Sequence, residues 1–133
     1  MFVVTQKPTF SAPVIVNRPA DGGTFERATF TVIFKALKKS EVDSLLKRIR
    51  QRAKAFAENP DAPMLSDREV LAEVLVGFGP EVVDKDEIPL PFTPENVDQL
   101  CDLWKVEPAI VKSFFDNYVN ATEKNSEPSP AML

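Results

Sequence analysis

The sequence predicts an α+β fold, an N-terminal β-hairpin packed on a small bundle of about four α-helices with a disordered C-terminal tail. Three observations carry this. A period-two run, Ala28-Phe30-Val32-Phe34-Ala36, follows a short β-type segment across the turn signal Asp21-Gly22-Gly23. Four later segments repeat apolar residues at helical spacing, each behind a capping residue or a proline. From Ala121 onward the chain is polar and contains proline.

Residues 1–12 mix apolar residues with Thr, Pro and Ser without a period and read as an irregular arm. A single domain is expected over 13–120 and a disordered tail over 121–133. Pro13 to Pro19 has a proline at each end, which suits an edge strand, where a missing ladder donor does no harm. In the next strand Thr29, Thr31 and Lys35 alternate with the apolar set, and Ile33 is the one apolar residue on the outer face. Ser40-Glu41-Val42-Asp43 resembles a capping box and opens a first helix with Val42, Leu45, Leu46, Ile49, Ala53 and Phe56 on one face. The hairpin is expected to lie on that helix. Ser66-Asp67-Arg68-Glu69 opens a second helix, which Gly77 and Gly79 are expected to stop. Thr93-Pro94 opens a third, with Val97, Leu100, Cys101 and Trp104 inward, and Pro108 a fourth, with Ile110, Val111, Phe114, Phe115, Tyr118 and Val119 inward.

The composition narrows the chemistry. At 133 residues there is room for one core, and 44% hydrophobic residues with ten Phe suit a folded chain. Histidine is absent, which removes the commonest general base and neutral metal ligand. Cys101 is alone, so no internal disulfide or cysteine zinc site can form, and a reducing cytosol fits. No apolar run approaches the roughly 18 residues of a membrane span. The net charge of −4 is bipolar in sequence: Lys35 to Lys54 carries +6, and Glu58 to Glu107 carries −10.

The motifs point away from catalysis and cofactors. Gly77-Phe78-Gly79 begins like a dinucleotide fingerprint, but Val82 stands where the third glycine belongs and a helix precedes it. Asp84, Asp86, Glu87 and Glu95 imitate a calcium loop, yet Ile88 and Pro89 occupy positions that need an oxygen donor and a glycine. Expected, then, are no metal, no cofactor and no enzyme. The basic face of the first helix lacks interleaved aromatic residues and the whole chain is acidic, so nucleic acid is an unfavoured partner. That face is read either as solvated or as a patch for an acidic protein surface.

The stretches "ATFTVIFKALKKSEVDSLL" and "SDREVLAEVLVGFGPEVVDKDEIPLPFTPENVDQL", followed by two short helices, resemble the tail assembly chaperones of lambda-like, long-tailed bacteriophages. The resemblance runs from about Phe25 to Tyr118 and is most specific from Asp67 to Leu100. It implies a non-enzymatic protein that binds the phage tape measure protein, keeps it soluble and helps recruit tail tube subunits. It also implies work in the host cell cytoplasm and absence from the mature virion. The alternatives are a structural, self-assembling connector or tail subunit and, less favoured, a small nucleic-acid-binding regulator.

A holding chaperone needs a groove for apolar stripes on a long helix. Phe78 at the expected helix stop, Phe92 between prolines, and Phe115 and Val119 on the fourth helix are the partner-binding candidates; the alternative is that all four complete the core. Homo-oligomerisation is expected by a head-to-tail meeting of the +6 helix, through Lys47, Arg48, Arg50 and Arg52, with the −10 region. The hairpin edge at Val14, Ile15 and Val16 is the further self-assembly candidate.

Overall fold

Two twelve-residue strands, β1 (Thr9–Ala20) and β2 (Thr24–Lys35), pair antiparallel along their whole length around a 3-10 turn at Asp21–Gly23. The structure, a computed structural model, describes residues 1–5 and 7–120; the expected disordered tail lies outside the described residues. Gly22 and Gly23 both take positive φ (78° and 76°), the conformation that makes glycine the residue for this turn. β1 starts at Thr9, inside the segment expected to be irregular. Phe10 supplies the reason, because its ring stacks on Tyr118 at 4.9 Å and packs against Phe34 at 5.6 Å.

The helices are α1 (Lys39–Glu58), α2 (Asp67–Val74), α3 (Pro94–Cys101) and α4 (Val106–Phe114), the last running into a π-helical turn at Phe115–Val119. Ser66 and Glu69 form the expected reciprocal cap, with the Glu69 amide donating to Ser66 Oγ (3.1 Å) and the Ser66 amide to the Glu69 carboxylate (3.3 Å). Thr93 Oγ1 likewise accepts from the Asn96 amide at 3.2 Å, with Pro94 at the first helical position. At α1 the expected cap is displaced: Ser40 lies within the first turn, and Glu41 instead reaches back to accept the Lys38 amide at 2.9 Å.

The glycines expected to stop α2 do something else. α2 ends at Val74, and Leu75–Phe78 forms a third strand, β3, which extends the hairpin to a sheet of order β1-β2-β3. Ile33 faces Gly77 across the β2–β3 pair, so the apolar residue on the outer face covers the glycine beside it. A Cβ at Gly77 would sit 3.1 Å from Ile33 Cδ1, and one at Gly79 only 2.6 Å from the Thr31 carbonyl oxygen. Both glycines serve close approach between neighbouring segments of the backbone.

The core joins Ala12, Val14 and Val16 of β1 and Val32 and Phe34 of β2 to Leu45, Val70, Leu71, Val74, Val106, Ile110 and Phe114 from the helices. Each of these Val, Leu, Ile and Phe side chains contributes roughly 1.5–3 kcal/mol on burial. The helix closest against the sheet is α4, through β1, whereas the expectation was α1. Phe34 meets Phe114 edge-on at 5.3 Å, Ser113 Oγ donates to the Pro13 carbonyl (2.6 Å), and the Tyr118 hydroxyl donates to the Leu37 carbonyl. On α1 only Leu45 is fully buried; Val42 and Ile49 are partly so, and Phe56 is exposed against expectation.

Candidate functional site

Phe78 and Phe92 come together. With Phe78 in β3 and Phe92 on the connector before α3, their rings meet edge to face, 5.0 Å apart at 74°. Phe92 keeps 42% of its surface exposed and forms one wall of a groove of about 350 Å³. Leu71 and Ala72 of α2 and Leu75 at the start of β3 supply one side, and Pro94 and Val97 the α3 side. Arg68, paired with Asp98, makes the rim. Such a groove holds apolar side chains projecting from a partner, but not a whole helix of about 10–12 Å diameter. The residues of α2 were legible as an apolar face; that part of it opens into this groove was not.

The connector that carries Phe92 is a small closed loop. The Leu90 amide donates to the Val82 carbonyl (2.8 Å) and the Asp84 amide to the Ile88 carbonyl (2.9 Å). Asp84 Oδ1 accepts the amides of Asp86 (2.8 Å) and Ile88 (3.1 Å), so its carboxylate holds backbone. Asn96 Nδ2 donates to the Pro91 carbonyl at 2.8 Å and fixes the chain on one side of Phe92.

Phe115 and Val119 lie elsewhere, in the π-helical turn, half-buried and packed against the core; Phe115 meets Phe114 at 5.5 Å. Among the described residues no ring contact joins Phe115 to Phe78 or Phe92. Phe115 and Val119 are thus partly buried against the core, whereas Phe92 is exposed.

Of the self-assembly candidates, Val14 and Val16 have their side chains buried in the core. Ile15, on the opposite face of β1, is 45% exposed. The basic helix divides similarly. Arg48 forms a two-pronged pair with Glu73 of α2 (2.6 and 2.7 Å), and Arg52 lies 3.6 Å from Glu69. The Arg48 hydrogen bonds hold the Glu73 carboxyl below its usual range. Lys47 and Arg50 are exposed and carry no ion pair among the described residues. Part of the bipolar charge is thus matched inside the molecule, where α1 meets α2.

Two exposed residues escaped the sequence reading. Trp104, expected on the inner face of α3, lies beyond the helix end and is 70% exposed, next to Lys105 in the left-handed region (φ 64°). Phe25 near the hairpin tip is 68% exposed. Cys101 is partly buried on α3, and that burial pushes its thiol pKa up, away from reactivity. Among the described residues no helix is long and apolar enough to cross a membrane.

A family model described as phage tail assembly chaperone matches residues 1–125. No curated protein and no solved structure matches the chain.

Proposed function

Because the chain belongs to the phage tail assembly chaperone family, we propose that it acts by binding alone. In this reading it holds the tape measure protein soluble and helps recruit tail tube subunits in the host cytoplasm, then leaves before the virion is complete. The observation that carries the reading is Phe92, buttressed by Phe78 yet 42% exposed on the wall of an apolar groove. Apolar residues spaced along one face of a client helix would enter the groove in succession.

The test is soluble yield of a co-expressed tape measure protein. Phe92→Ser removes the wall, and Ala72→Glu places a charge in the groove from an exposed helix position. Both variants should stay folded by thermal melting while the client becomes several-fold less soluble. Unchanged client solubility with both variants sinks the groove.

Self-association through the basic helix is the accompanying proposal, supported by Lys47 and Arg50, which are exposed and carry no ion pair among the described residues. Reversing Arg48 or Arg52 would also break pairs within the chain, so the informative variant is Lys47→Glu/Arg50→Glu. Light scattering should then read the monomer mass, and raised salt should act in the same direction because exposed charges are screened. A double variant of unchanged oligomeric mass rejects the contact.

A further inference from the structure

The hairpin has two long edges, and they are guarded differently. The Pro13 carbonyl accepts from Ser113, so it points away from β2. Its cross-strand partner Thr31 points away from β1, because its carbonyl accepts the Gly79 amide at 2.7 Å and its amide donates to Glu81. In an antiparallel pair these orientations alternate along each strand. The outward phase of β1 therefore continues through Ile15, Asn17 and Pro19, and that of β2 through Thr29, Arg27 and Phe25. Prolines at 13 and 19 leave the β1 edge with few donors, a common guard against strand addition. The β2 edge has no such guard. β3 covers it only at Val32, Ile33 and Phe34. Phe25, Arg27 and Thr29 present three successive N–H and C=O pairs with no partner among the described residues.

The geometry points to this edge as a docking site for an extended strand of another protein, one that sets an acidic residue opposite Arg27. Arg27 is exposed and has no ion pair among the described residues, whereas its neighbour Glu26 is taken by Arg18 at 3.2 Å. A second copy is a poor occupant. The antiparallel register that engages all three residues would set Arg27 against Arg27, and like charges directly opposite are destabilising. An added strand also gives the bare end of the hairpin the third strand it lacks, since two strands alone are marginal in water. This surface is separate from the groove, and its failure would leave the groove untouched.

The probe is the peptide Thr-Val-Thr-Glu-Thr-Val-Thr, whose glutamate can face Arg27 with a valine on either side. Titration followed by amide NMR should shift Phe25, Arg27 and Thr29 saturably and slow their hydrogen exchange. A lysine in place of the glutamate should weaken binding about tenfold, as should Arg27→Glu, and combining the two reversals should restore it. Thr29→Pro removes one outward donor and should abolish the shifts. Should that variant unfold, Arg27→Glu, at an exposed side chain, carries the test. No saturable shift at millimolar peptide, shifts confined to Ile15 and Asn17, or binding indifferent to charge reversal overturns the proposal.

Discussion

The two halves of the β1–β2 hairpin have the same pairing and different surroundings. From Thr9 to Val16 and from Ala28 to Lys35, one face is sealed by α4 and the aromatic set Phe10, Phe34, Phe114 and Tyr118. From Asn17 to Arg27 no residue is buried, although the register continues without a break to Ala20 and Thr24. That bare part reaches on the order of 13 Å past Val16 at about 3.3 Å per residue. Pairing alone does not bury a strand; the covering element does. The proximal half is held by tertiary packing and the distal half by its ladder and turn.

Substitutions can break that contrast or sharpen it. The largest effect is expected from Phe34→Ala in the sealed half, where the fully buried ring should cost about 3–5 kcal/mol in chemical denaturation. A loss below about 1 kcal/mol would mean that the sheet face is not the core. Gly79→Ala attacks the join between β2 and the β3 side, where a Cβ would lie 2.6 Å from a backbone oxygen. A cost of roughly 1–3 kcal/mol is expected, read as a lowered melting temperature. Melting unchanged by the added methyl would show that Thr31 and Gly79 do not approach so closely.

Acid should loosen the same join. The Glu81 carboxylate accepts from its own backbone amide and from Thr31, which together hold its pKa below the usual 4.5. A carboxyl with a depressed folded pKa contributes stability above its unfolded value and loses it as pH falls through the folded one. Exchange at the Thr31 amide, corrected for intrinsic rate, should therefore speed up only below about pH 4.5, and Glu81→Gln should remove that pH dependence. A Gln variant with an unchanged acid response would assign the effect to another group. The smallest effect belongs to the bare half: Phe25→Ser should move stability by no more than about 0.5 kcal/mol. A larger loss would show that the distal arm folds back onto the body.

The sequence disclosed what depends on local rules. Alternation from Ala28 to Ala36 marked β2, and the Ser66 and Thr93 caps placed the starts of α2 and α3, because these signals act over a few residues. β3 was hidden because Leu-Val-Gly-Phe is a short apolar run that periodicity cannot tell from the end of a helix. Its trace was Ile33, an apolar side chain on the wrong face, waiting for a glycine to cover. Trp104 misled because helical spacing was carried past Cys101, where the left-handed Lys105 turns the chain. At the candidate site, Phe92 between its prolines stood out in the sequence. The groove beside it did not, since it depends on the distance between α2 and α3.

The bond from Ser113 to the Pro13 carbonyl spans 100 residues, and this sets an order of events during synthesis. At roughly 5–20 residues per second a ribosome needs about 5–20 s to travel from one partner to the other. Once Lys35 has been made, within that interval, the hairpin can form, but its inner face of Ala12, Val14, Val16, Val32 and Phe34 has no α4 to lie beneath. The nascent chain must therefore carry an uncovered apolar sheet for seconds, and the polar, twin-proline edge of β1 is the side it can safely leave open in the meantime.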